Sequence, residues 1–174
     1  MMLGNKGAQR LLLPVKPWFM YGSLCVALLL NMLPLGRTIW LPDFLLLTLV
    51  FWSLHQPHYV GVLLSFACGL IMDVHQTTLL GMHGLAYSCA AYLAFLLHLR
   101  VRLFRPHWQA LQMSGVFVLT HALLWVLRLA SGGNWPGMGL LLAPLFETLL
   151  WPVWSLLLLA PQRRAPDSDA TRPL

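Results

Sequence analysis

Between Trp18 and Ala160 the chain is a succession of apolar runs broken by one basic hairpin. Outside that hairpin only five charges interrupt it: Arg37, Asp43, Asp73, Arg128 and Glu147. With 59% hydrophobic and 9% charged residues over 174 positions, this is the composition of a polytopic membrane protein and not of a soluble core. An ionisable group in lipid costs several kcal/mol unless it is paired or wetted, so those five residues are the first candidates for function.

Six runs approach the roughly 20 residues that cross a bilayer. They cover about Trp18 to Pro34, Ile39 to Leu54, Tyr59 to Met72 (a short one), Gly84 to Leu99, Trp108 to Leu129 and Gly139 to Ala160. Lys6, Arg10 and Lys16 precede the first run, Arg100, Arg102 and Arg105 form the hairpin, and Arg163, Arg164 and Arg172 follow the last. Six spans with both termini cytoplasmic put these nine of the eleven basic residues inside, leaving only Arg37 and Arg128 outside. The same clustering explains the net charge of +6 without nucleic acid. The expected organisation is a basic cytoplasmic tail over 1–16, a six-helix membrane domain over 17–160 and a disordered cytoplasmic tail over 161–174. No small-residue cleavage site follows the first run, so it reads as a retained helix and not a signal peptide.

Under this threading all five charges fall towards the outer face. Asp43 follows Pro42 at the start of the second helix, where a carboxylate suits the helix dipole. Asp73 ends the third helix, Arg128 ends the fifth, and Glu147 lies nearest the midplane. Asn31, His75 and His83 fall at similar depth. Arg128 and Glu147 are placed to form an interhelical ion pair, structural or functional. Asp43, Asp73, Arg128 and Glu147 are therefore the candidate partner or pocket residues.

Gly61, Ser65, Gly69 and Asp73 recur every four residues along one stripe of the third helix, and Ala86, Ala90 and Ala94 repeat the spacing on the fourth. Small residues at that interval let helices approach closely in lipid, so Gly61, Ser65, Gly69 and, in the turn, Gly81 are expected packing positions. The segment Val74 to His83 suits a tight turn or a shallow re-entrant loop. Ser114, His121 and Arg128 share a face of the fifth helix, with His121 expected as a hydrogen-bonded packing residue. Pro144 and Pro152 bracket Glu147 and predict a kinked sixth helix. Trp18, Trp40, Trp108 and Trp135 sit near helix ends as an interfacial belt, while Trp52, Trp125, Trp151 and Trp154 lie further in. Cys25, Cys68 and Cys89 lack metal or disulfide spacing and read as buried small hydrophobes.

No phosphate-binding loop, dinucleotide fingerprint, zinc-protease motif or nucleophile elbow is present in the sequence, and no Ser, His and carboxylate stand at a triad-like spacing. A non-enzymatic protein without metal or cofactor is expected. A lipid-handling enzyme using an outer carboxylate as base is the weakest reading. An alternative to a protein-binding role is a small-molecule-binding transporter subunit, with Asp43, Asp73 and Glu147 around an outward-facing pocket.

Pro42-Asp43, the apolar run to Phe51-Trp52, then Pro57 and Gly61 resemble the second-helix segment of the rod shape-determining MreD family. Phe66, Gly69-Leu70, Asp73, Leu80-Gly81, Tyr92-Leu93, the hairpin through Phe104 and Arg105, and Gln109 are similar to that family's most recognisable stretch. Glu147 to Trp154 is similar to its last helix. The resemblance covers about residues 18 to 160. It implies a bacterial inner (cytoplasmic) membrane component of the elongation complex, which helps organise lateral peptidoglycan synthesis and so maintains rod shape. It also implies a direct partner, MreC, and through it MreB, RodA and the paired transpeptidase. The implied fold resembles the six-helix substrate-binding subunit of energy-coupling-factor transporters. Pro42, Asp43, Gly69, Asp73, Leu80 and Gly81 are the family-like positions, whereas Arg128 and Glu147 follow from membrane depth alone. The pairs His55 and His58, and His75 and His83, are expected as loop or interface polar groups.

Overall fold

A computed structural model describes residues 16–33, 41–133 and 141–162. The basic N-terminal residues Lys6 and Arg10, then Arg37, Trp40, Trp135 and 163–174 of the expected C-terminal tail lie outside the described residues. The first two residues of that tail belong to an ordered turn. Six α-helices run through the remainder: α1 Pro17–Met32, α2 Phe44–His55, α3 Val62–Gln76, α4 Met82–Val101, α5 Pro106–Ala130 and α6 Leu142–Leu159, with a closing 3-10 turn Ala160–Gln162.

Local chemistry sets most of the boundaries. Proline opens α1 at Pro17 and α5 at Pro106, where the missing N–H would have had no helical partner. The Asp43 carboxylate caps α2 by accepting the Leu46 N–H at 2.9 Å. Between α4 and α5, the Gln109 side chain donates to the Phe104 carbonyl at 2.9 Å and fastens the basic hairpin.

Among the described residues only α4, α5 and α6 have the length and apolarity to cross a bilayer unaided; α1, α2 and α3 have 16, 12 and 15 residues. Six helices stand where six spans were expected, but among the described residues three of them are shorter than a bilayer crossing. At about 1.5 Å per residue, the 12 residues of α2 reach roughly 18 Å, well short of a hydrocarbon core about 30 Å thick. Helix α2 tolerates this because it is enclosed by protein. Every residue from Leu45 to Leu54 is buried, and α1, α4 and α6 pack around it. A helix that is apolar all round belongs in such an interior position. Hydrogen bonds from Trp52 Nε1 to Ser23 (2.8 Å) and from Trp154 Nε1 to Thr48 (3.0 Å) tie it to α1 and α6. Trp151 fills the space between Phe51 and Phe117.

The other five helices turn large apolar side chains outward, including Trp18, Leu63, Leu99, Leu111 and Leu149. So much exposed hydrocarbon on every side suits a lipid environment. Cys25 and Cys89 are exposed on this surface and Cys68 is half-buried, all three free, so two of the three are not the buried hydrophobes expected. In α6, Pro144 falls in the first turn, where it breaks no hydrogen bond. Pro152 alone lies in the interior and leaves the Thr148 carbonyl without its usual donor.

Candidate functional site

The ends of α1, α3 and α5 meet the starts of α2, α4 and α6, and the buried polar groups gather there in two connected knots. The first is built on Asp73, on the last turn of α3. The segment after it is a tight turn: Thr77 adopts the left-handed conformation (φ 53°), and the Thr78 N–H returns to the Asp73 carbonyl at 3.1 Å. Gly81 follows at φ 100° and begins α4 without any side chain to cap it. The Asp73 carboxylate supplies that cap from the neighbouring helix. It accepts the Gly81 N–H (2.8 Å), the His83 N–H (2.9 Å), the Thr78 hydroxyl (3.0 Å) and the His83 ring Nδ1–H (2.7 Å). Asp73 has no exposed surface and His83 is 3% exposed.

This capping depends on how close α3 comes to α4. A Cβ on Gly69 would stand 2.5 Å from the Gly84 backbone, so only glycine permits the approach. Ser65 is buried one turn earlier on the same stripe. Gly61 and Gly81 differ from the packing role expected of them. A Cβ on either meets nothing within 4 Å; Gly61 is the α3 N-cap, and Gly81 serves the turn through its positive φ.

The second knot joins the other four helices to α4. Asp43 at the start of α2 accepts from Asn31 of α1 at 2.6 Å and from the Tyr87 hydroxyl of α4. Asn31 in turn accepts the Phe44 N–H at 3.0 Å. Glu147 of α6 accepts the Asp43 N–H at 3.0 Å, and its same oxygen lies 2.9 Å from Nε2 of His121 on α5. The other oxygen, Oε2, is buried without a partner among the described residues. The His83 ring stands edge-on to Tyr87 at 5.8 Å and bridges the two knots. All six helices therefore contribute to one buried polar cluster.

Asp43, Asp73 and Glu147 come together there, whereas Arg128 does not pair with Glu147. Glu147 faces His121, two helical turns before Arg128 on α5. Arg128 instead lies against the Trp125 ring (5.7 Å to its centroid) and donates to Gln76 of α3 at 3.4 Å. Sequence depth placed both charges at one end of the bundle but could not resolve the two-turn offset that brings His121, on the same face of α5, to Glu147 instead. His83, expected as an interface group, is buried against Asp73. Tyr87 is not marked out by sequence, because a single tyrosine on a membrane helix reads as an apolar packing residue; its spacing four residues after His83 is the available signal.

The family described as rod shape-determining protein MreD matches residues 14–160. The chain belongs to the MreD family. A curated relative, the Rod shape-determining protein MreD of Haemophilus influenzae, is 28% identical over 131 residues, covering 75% of this chain and 80% of its own. No solved structure matches. Membership places the chain among rod shape-determining proteins, and the apolar helices suit an MreD in a membrane.

Proposed function

We propose that the chain is a non-catalytic, multi-pass component of the bacterial inner membrane that partners MreC and helps organise lateral peptidoglycan synthesis. In this reading both termini are cytoplasmic and the shorter helices complete a six-span bundle like the substrate-binding subunits of energy-coupling-factor transporters. MreB, RodA and its transpeptidase connect indirectly, through MreC. The family match over residues 14–160 carries the proposal. The polar cluster supports it physically: buried charges that reach all six helices fix a single arrangement of a bundle whose remaining contacts are non-directional. A rigid bundle offers a partner helix a defined apolar surface.

Co-expression with the cognate MreC, purification of either protein in mild detergent and measurement of stoichiometry test the reading. A stable complex with fixed stoichiometry is expected. Folded protein that leaves MreC behind would overturn it.

The buried, unpartnered Oε2 of Glu147 favours a second reading, a small-molecule-binding membrane subunit of a transporter with an outward-facing pocket. That reading requires a saturable ligand whose affinity falls in Glu147→Gln.

A further inference from the structure

Near the end of α5 an open cavity of about 270 Å³ borders the buried cluster, sharing Thr78 with it but none of the carboxylate residues. Thr78, Leu79, Met82, Trp125, Arg128 and Ser131 line it. Among the described residues, Arg128 is the one charged side chain in this wall. Its guanidinium rests on Trp125, and its hydrogen bond to Gln76 is long, at 3.4 Å. A guanidinium has five N–H donors in a rigid fork that matches a phosphate, and stacking on an aromatic face leaves that fork's edge open. The favourable helix dipole explains why a cation is tolerated at the end of α5, but not why a cavity stands before it.

The remaining polar groups narrow the ligand. The Thr78 hydroxyl already donates to Asp73 (3.0 Å) and the Ser131 hydroxyl to the Arg128 carbonyl (2.8 Å). Both oxygens therefore face a ligand as acceptors, which suits a hydroxyl next to the phosphate. Leu79, which lines the opening, is 61% exposed, an apolar rim at the end of a membrane helix. We propose that this cavity binds the headgroup of an anionic, hydroxyl-bearing phospholipid, with Arg128 on the phosphate and the acyl chains along the apolar rim. The inference rests on the membrane reading above, not on the MreC partnership.

The test uses the full chain purified in mild detergent and titrated with phosphatidylglycerol or phosphatidylcholine, with bound lipid read by native mass spectrometry. Wild type is expected to prefer phosphatidylglycerol, and Arg128→Gln to weaken it roughly fivefold, the worth of one basic residue near a lipid surface. Arg102→Gln, on the basic hairpin, is expected to change nothing. Ser131→Asp keeps Arg128 but gives it an internal carboxylate, and is expected to weaken binding as well; being exposed, this position tests the site even where Arg128→Gln fails to fold. Equal retention of both lipids, or unchanged retention in the folded variants, would overturn the proposal. Soluble glycerol 1-phosphate is expected to leave the lipid in place; full displacement would mean a free phosphate ester is the ligand and would overturn the lipid assignment. Retention of MreC by the same preparations reports separately on the partner reading, so failure of one is distinguishable from failure of the other.

Discussion

Asp73 and His83 are joined twice: one carboxylate oxygen accepts both the backbone N–H (2.9 Å) and the ring Nδ1–H (2.7 Å) of the histidine. The contact converts the end of α3 into the cap of α4. Asp73→Ala leaves the two buried His83 donors without an acceptor and removes the carboxylate from the half-buried Gly81 N–H and Thr78 hydroxyl, and is expected to cost about 3–5 kcal/mol. Asp73→Asn keeps an acceptor oxygen but loses the charge, and is expected to cost less than half as much. Thermal unfolding in detergent, read beside protein level in the membrane, checks both. Loss of shape control at full thermal stability would show that Asp73 meets a partner and that its capping is incidental.

The approach of α3 to α4 gives a sharper contrast. Gly69→Ala would drive a methyl to 2.5 Å from the Gly84 backbone, which cannot move aside as a side chain can. The helices must separate, and a loss of more than about 2 kcal/mol is expected, together with weakening of the Asp73 cap. Gly115 of α5 has open space where its Cβ would sit, so Gly115→Ala should be neutral or stabilising by up to about 1 kcal/mol. Equal melting temperatures for the two variants would show that α3 and α4 are not packed this closely.

How much of this was legible in the sequence depends on the kind of information needed. Apolar runs located all six helices to within a few residues, because each hydrophobic stretch ends at a proline, a glycine or a charge. The stripe of Ser65, Gly69 and Asp73 is likewise visible as a four-residue interval. Two things were not. Sequence depth put Arg128 and Glu147 at one end, yet Glu147 meets His121, on the same face of α5 as Arg128 but two turns earlier, and apolar runs do not encode how far one helix is offset along its neighbour. The enclosure of α2 was hidden for the same reason: Leu45 to Leu54 would read alike against lipid and against protein. Its shortness was the physical clue.

The pairing of His121 with Glu147 is expected to be energetically coupled to the Asp43 cap. Glu147→Ala leaves the Asp43 N–H and the His121 ring without their acceptor and should cost about 2–4 kcal/mol. His121→Ala leaves only one oxygen less well satisfied and should cost less. In a double-mutant cycle on thermal stability the pair should show about 0.5–3 kcal/mol of coupling. Strict additivity would mean that the two side chains do not interact. Tyr87→Phe, which removes one donor from Asp43 while keeping the ring, should cost about 1–3 kcal/mol.

Thr77 carries a strain that function does not require. It is a β-branched residue at φ 53°, the left-handed region, at the first position beyond α3. That conformation costs an L-residue about 1–2 kcal/mol, and glycine escapes the penalty. The Thr77 hydroxyl donates to the Gln76 carbonyl at 2.7 Å, an exposed contact that water replaces readily. Thr77→Gly is therefore expected to stabilise the bundle by about 0.5–1 kcal/mol, after allowance for the added freedom of glycine in the unfolded chain. The Asp73 carbonyl keeps its bond from the Thr78 N–H, so the cap on α4 should be unchanged. A rise in melting temperature is the expected result. A fall would mean that the Thr77 side chain holds the turn, and that the short path from Asp73 to Gly81 depends on that hydroxyl as well as on the backbone.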